Sequence, residues 1–280
     1  RRYGAVEPSR TEGGQRLYTD GQVLRLRLLK RSTEGGRSIS NVASLSTDEL
    51  AALVGEDAWE GPNGGPAPDR SGYLEECLSA AERLDAQALR EALMRAVVSL
   101  SAPVFVREVV GPLLHRVGEL WEAGSLRPAQ EHVVSTAVRQ TLDWLLGRYE
   151  ASPSAPLMVA GTLRGDLHEF GAMLASVVAA DAGWRVLYLG PSLPASEIAS
   201  AAAQSGAALV AVSVVDGEGD DRERARRELS ELRASLPDGV LLVAGGRKAS
   251  SSAPEGVTVV EELSSLRQVL AAAGPEEEER

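Results

Sequence analysis

The sequence predicts a multi-domain chain: a short basic module, then a small helical bundle, then an α/β domain built on a five-stranded parallel sheet. Three observations carry this. The chain has 280 residues, 44% hydrophobic and 25% charged, which exceeds what one core usually organises, since single cores seldom grow beyond about 250 residues. Helical patterns over residues 73–149 give way after residue 156 to short apolar runs alternating with amphipathic stretches. The charge is also divided. The whole chain carries −11, which taken alone argues against nucleic acid, but residues 1–40 hold nine basic and four acidic side chains, a balance of +5, leaving −16 on the remainder.

Residues 1–54 form the basic module. The Gly13-Gly14 pair predicts a tight turn before Gln15-Arg16-Leu17-Tyr18, hence a hairpin. Thr19 or Asp20 can cap a helix running to Arg31 with Val23, Leu24, Leu26, Leu28 and Leu29 as its apolar positions. A second helix is expected over 38–45, and a third, capped by Thr47 or Asp48, through Leu53. Residues 55–70 are rich in Gly and Pro and read as a linker. Residues 71–150 carry four helical patterns: 73–79, then 86–100 after a break near Asp85, then Pro103 through Trp121, then Pro128 through Arg148. The Gly124-Ser125 turn joins the last two, and no strand alternation interrupts them, so this region is a four-helix bundle.

Over 157–274 the strands are expected at 157–161, 185–189, 208–214, 240–244 and 257–260, and the helices at 169–182, 195–205, 221–235 and 263–273. Strict alternation implies a parallel, doubly wound sheet, because parallel neighbours need crossover connections and both faces need cover. Residues 275–280 form an acidic tail. Cys77 has no partner for an internal disulfide, and the longest apolar runs fall short of the roughly 18 to 20 residues of a membrane helix. The expectation is a soluble protein of the reducing cytoplasm that makes no use of a membrane.

In open α/β sheets, ligands bind beyond the carboxyl ends of the strands. Gly165-Asp166-Leu167-His168-Glu169-Phe170-Gly171 follows the first strand. An imidazole there can act as ligand or base, and an aspartate two residues earlier can accept its other N–H. Gly171 leaves room for a close approach. Ser213 ends the third strand and Gly245-Gly246 follows the fourth, so small residues open a slot between helices and sheet. One at a time, the same residues also read as an ordinary loop histidine, a hydroxyl satisfied by the backbone, and turn glycines.

Their joint spacing is more specific. Asp166, His168 and Gly171, then 41 intervening residues to Ser213, then 29 between Val215 and Gly245-Gly246, resemble the cobalamin-binding domain shared by methionine synthase, the corrinoid mutases and related methyl carriers. That pattern is Asp-x-His-x-x-Gly, Ser-x-Leu and Gly-Gly at similar separations. Val215 stands in place of the Leu, and the last separation is slightly longer. The resemblance implies a Rossmann-like (flavodoxin-like) fold with His168 as lower axial ligand of cobalt and Asp166 on its other ring nitrogen. It also implies that Gly171, Ser213, Gly245 and Gly246 line the dimethylbenzimidazole tail, with Ser192, in the Leu189-Gly190-Pro191-Ser192 corner, as a further tail contact.

Trp121, followed after nine residues by Glu131-His132, resembles the Trp-x9-Glu-His signature of the helical caps of light-responsive CarH-type regulators. There the three side chains cover the upper face of cobalt and surround an adenosyl group. An indole offers flat apolar area, while a carboxylate and an imidazole can hydrogen-bond hydroxyls and a base edge. From the pattern alone, Trp121 also reads as a bundle-core residue and Glu131-His132 as an exposed pair near a helix start. The best-known members have a histidine after the Trp that takes the upper cobalt position after illumination; Glu122 stands there in this chain and removes that ligand. His115 is assigned no role.

Arg1-Arg2-Tyr3-Gly4 and the stretch from Arg10 to Tyr18 resemble the wing of a MerR-type winged helix-turn-helix, and residues 20–31 the helix after it. The resemblance implies phosphate contacts from Arg10, Arg16 and Tyr18, with Arg1 and Arg2 near the end of a recognition helix. The helix-turn-helix itself is expected before residue 1, so the module is partial. Together the resemblances imply a transcriptional repressor without catalytic turnover, binding adenosylcobalamin between bundle and Rossmann-like domain. In the dark a homo-oligomer, dimer or tetramer, would bind operator DNA, and light cleavage of the Co–C bond would alter oligomer state and DNA affinity. Corrinoid carriers for methyl transfer share the bundle and sheet, so a carrier using methylcobalamin is the alternative; a regulator whose corrinoid domain has been redirected to another ligand is a third. The MerR-like resemblance of the first 54 residues favours the repressor.

Overall fold

The structure is a computed structural model that describes residues 70–215 and 220–274, together with positions 9–10, 16–17, 19, 21–22, 25–26, 28–29, 46–47 and 50. The expectations for Arg1, Arg2, Tyr18, the Gly13-Gly14 turn, the 38–45 helix, the 55–69 stretch and the 275–280 tail lie outside the described residues, as do the side chains of Arg10 and Arg16. The chain divides into two compact units, Arg1–Ala137 and Val138–Arg280.

In the first unit, β1 (Ser9–Arg10) and β2 (Arg16–Leu17) pair antiparallel, with Ser9 opposite Leu17 and Arg10 opposite Arg16. Thr19 begins the next helix through a reciprocal box: Gln22 N–H donates to Thr19 Oγ1 at 3.3 Å, and Thr19 N–H donates to Gln22 Oε1 at 3.2 Å. The later helix starts one residue before the expected Thr47 or Asp48 cap. Thr47 is already helical and Leu50 N–H donates to Ser46 O, which places the cap at Ser46.

The bundle begins with α1 (Arg70–Glu82), which starts ahead of its first apolar residue. Leu84 at φ 56° turns the chain, and Asp85 caps α2 (Ala86–Ser99) by accepting from Ala88 N–H at 3.0 Å. The single helix expected from Pro103 to Trp121 is three segments: α3 (Ala102–Phe105), a π-turn over Val106–Val110, and α4 (Gly111–Glu122). Pro112 lacks an N–H and its ring crowds the carbonyl four residues back, so the ladder widens and Gly111 N–H reaches Val106 O. Next comes α5 (Pro128–Leu146), whose part from Val138 onward belongs to the second unit. Leu89, Leu93, Phe105, Leu113 and Val134 form the buried centre of the first unit.

The second unit holds β3 (Leu157–Thr162), α6 (Phe170–Asp181), β4 (Arg185–Tyr188), α7 (Ala195–Ser205), β5 (Leu209–Ser213), α8 (Asp220–Ser235), β6 (Leu241–Gly245), α9 (Ala249–Ser252), β7 (Thr258–Val260) and α10 (Leu263–Ala273). The strands are all parallel in the order β4-β3-β5-β6-β7, the doubly wound order whose direction of winding reverses beside the first strand. Successive strand residues point to opposite faces. Val159, Val210 and Leu242 pack with α7, α8 and α9, while Met158, Leu209 and Val243 pack with α6 and α10. The four-residue α9 was not among the expected helices, since a run of Ala and Ser carries no apolar period.

Candidate functional site: a slot with a histidine at its rim

At the carboxyl ends of β5, β6 and β7 lies a cavity of about 170 Å³, closed on the other side by α6 and α10. Gly171, Ala175, Ser213, Val243, Gly246 and Leu266 are among its walls, with Glu261 and Glu262 after β7. Two glycines are required there. A Cβ on Gly171 would overlap Ser213 Oγ. Gly246 sits at φ +103°, where a Cβ would come within 2.6 Å of Val214 O. Ser213 is 3% exposed, and its Oγ has no hydrogen-bond partner among the described residues. Buried hydroxyls are nearly always paired, so this orphan in a mostly apolar slot fits a mostly apolar ligand with one polar atom near Ser213.

The loop from β3 to α6 carries the histidine. Asp166 is buried and its carboxylate is shared: Oδ1 accepts from His168 N–H at 2.9 Å and lies 3.2 Å from His168 Nδ1, and Oδ2 accepts from Val215 N–H at 3.0 Å. Burial pulls the Asp166 carboxyl upward. The hydrogen bonds from the His168 ring, Val215 N–H and His168 N–H outweigh it and hold the group below its ordinary value. Asp166 is therefore an anion that favours a proton on His168 Nδ1, the tautomer in which Nε2 carries the ring lone pair. The His168 side chain is 55% exposed. An imidazole held this way by a carboxylate is of the kind that can ligate a metal.

Ser192, expected at the tail, is not among the slot-lining residues. It adopts φ 60°, its N–H donates to Thr162 Oγ1 at 2.8 Å, and its Oγ accepts from Gly165 N–H at 3.1 Å. Thr162 Oγ1 donates in turn to Asp166 O. Ser192 thus clamps the β3–α6 loop from the neighbouring corner. Gly245 is on the slot wall beside Val260.

In the first unit, Trp121 is in the last turn of α4 and 55% exposed, which removes the alternative of a core tryptophan. Glu131 is in the first turn of α5 and His132 follows it; the Glu131 carboxylate accepts from Ser135 Oγ and contacts His132 Nδ1. The His132 side chain is 79% exposed. His115 is exposed beside Glu119 at 3.3 Å, and Glu122 is exposed at the end of α4.

Sequence reasoning missed four residues around His168: Thr162, Glu169, Arg139 and Tyr188. Arg139 meets Glu169 Oε1 at 2.5 Å, and Tyr188 donates to Glu169 Oε2 at 2.6 Å. The available signal was a glutamate at the mouth of a very apolar helix, where an unpaired charge would be costly.

The doubly wound parallel sheet thus carries on one loop both the aspartate-held His168 and the slot-lining Gly171, and the class of protein is a corrinoid-binding one. Two families described as B12 binding domain match residues 73–146 and 156–260, and the MerR HTH family of regulatory proteins matches residues 1–49. The cofactor class is a corrinoid. The chain belongs to the CarH-type family of helix-turn-helix transcriptional repressors, which are regulators and not enzymes. It is 34% identical over 256 residues to the HTH-type transcriptional repressor CarH of Myxococcus xanthus, covering 90% of this chain and 83% of that one. It is 29% identical over 243 residues to the repressor CarA of the same organism, covering 85% and 76%. Among solved structures, the monomethylamine corrinoid protein of Methanosarcina barkeri aligns with a TM-score of 0.57 at 16% identity, over 72% of this chain and 99% of that chain, a likeness of fold. No helix among the described residues is long and apolar enough to cross a membrane.

Proposed function

We propose that this protein is a cytoplasmic, light-responsive repressor that holds adenosylcobalamin between its helical bundle and its Rossmann-like domain. The observation that carries the corrinoid part is the pairing of the Asp166-oriented His168 with the slot that contains the orphan Ser213 Oγ. His168 would supply the lower axial nitrogen and Asp166 would fix its tautomer. Gly171, Ser213, Gly245 and Gly246 would hold the displaced nucleotide tail. Trp121, Glu131 and His132 would cover the upper group, with Glu122 leaving no histidine next to the tryptophan. When bound, adenosylcobalamin supplies a Co–C bond that visible light breaks.

The rest is linkage. Illumination can change DNA affinity only if the dark and lit forms of the cofactor interact with different strength with two arrangements of the protein. In the reading proposed here the dark arrangement is a homo-oligomer on operator DNA, with Arg1, Arg2, Arg10, Arg16 and Tyr18 at the backbone. The test is reconstitution with adenosylcobalamin in darkness, followed by the absorption spectrum and solution mass before and after green illumination, with operator retention measured in both states. A spectrum and mass that ignore light would end the light-sensor reading. Retention of wild-type affinity and spectrum by His168→Ala would end the assignment of the lower ligand.

A further inference from the structure

Glu169 follows the candidate cobalt ligand directly and belongs to no motif. It occupies the N-cap of α6 but makes no side-chain cap bond, although that position ordinarily directs a side-chain oxygen at the helix amides. Its carboxylate, 7% exposed, turns away to two other elements. Oε1 takes Arg139 from α5 and Oε2 takes the Tyr188 hydroxyl from the end of β4, while Glu169 O receives Met173 N–H of α6. The Arg139 guanidinium also lies 5.8 Å from the centre of the Phe170 ring. One residue is thereby tied to three elements of the second unit.

A buried carboxylate must be paired, and a pairing in which each oxygen has its own donor from a different element leaves the side chain one arrangement. The backbone at His168 is consequently held from both sides, by Asp166 through the His168 N–H and by Glu169 through the next residue. The ring is 55% exposed, and the backbone that carries it sets its direction together with the Asp166 carboxylate. We propose that Arg139, Glu169 and Tyr188 form a positioning cluster that holds the His168 loop at the angle needed for axial ligation. This rests on the reading of His168 as the lower ligand. Burial, and the hydrogen bond to Glu169, push the Tyr188 hydroxyl far above its ordinary value, so it remains a donor throughout the usable pH range.

The test uses the full chain as wild type, Tyr188→Phe, Glu169→Gln, Arg139→Met and Arg139→Lys. Two quantities are read. In dark-loaded protein it is the fraction of bound adenosylcobalamin with the histidine-ligated spectrum rather than the ligand-free one. In the apoprotein it is backbone hydrogen exchange over residues 165–171. Tyr188→Phe, Glu169→Gln and Arg139→Met are expected to show a mixed spectrum and exchange roughly tenfold faster in that loop, with Arg139→Lys returning toward wild type and cooperative unfolding retained. Variants that merely unfold at lower temperature, with wild-type spectrum and loop exchange, would overturn the cluster's role while leaving the cobalamin reading standing. A wild-type chain that takes up no cobalamin would overturn both.

Discussion

The two units hold their candidate cofactor residues in opposite ways. In the sheet unit, Asp166 receives two backbone N–H groups and a ring contact, Ser213 is buried, and two glycines are locked by close approach and by a positive φ. In the bundle unit, Trp121 and His132 are exposed, and the side-chain partners shown for Glu131 come from its own helix. One half is preorganised at the level of the backbone, and the other presents side chains. Damage to the first half should therefore appear in the stability of the empty protein, whereas damage to the second should appear only once a ligand is present.

The sharpest break would come at Gly246. Gly246→Val places a β-branched residue at φ +103° against Val214 O and should cost about 4 kcal/mol of apoprotein stability, read by denaturant titration. Filling the slot is next: Gly171→Val drives a side chain into Ser213, which should cost about 1–3 kcal/mol by overpacking and abolish cobalamin uptake in a spectral assay. Asp166→Ala leaves Val215 N–H and His168 N–H without their acceptor, an expected loss of about 2 kcal/mol near neutrality.

That contribution depends on pH in a defined direction. The Asp166 carboxyl is held below its ordinary value of 3.8, so the stability it supplies is complete above that value and is lost as pH falls through the lower folded-state value. The stability gap between wild type and Asp166→Asn should accordingly close as pH falls below the carboxyl's ordinary value, as followed by thermal unfolding. Trp121→Ala gives the smallest effect on the empty protein, under about 0.5 kcal/mol for an exposed site, while adenosylcobalamin retention falls about tenfold, equivalent to 1.4 kcal/mol. A Trp121→Ala apoprotein as unstable as Gly246→Val would erase the distinction between the units.

Much of this was legible in the sequence because it follows local rules. The strand positions follow from apolar runs, the break near Asp85 from the interruption of the helical pattern, and the slot from small residues at successive strand ends. What stayed hidden depends on partners far along the chain. Tyr188 and Arg139 reach Glu169 across 19 and 30 residues, and no periodicity marks such a pair. Ser192 was visible as a corner residue, but its hydrogen bonds to the histidine loop require the strand order, which only the folded sheet supplies. The π-turn escaped for a different reason: one additional residue in a turn scarcely alters an apolar pattern.

That small widening has a consequence for how the bundle's surface can be altered. Each helical residue advances the chain by about 100° around the axis, so the five residues of Val106–Val110 set the phase of α4 relative to α3. Removing a single residue there would swing Trp121 about a quarter-turn to a different side of the helix without changing any other amino acid. Substitutions adjust what this surface says; a change of length by one residue changes where it is addressed.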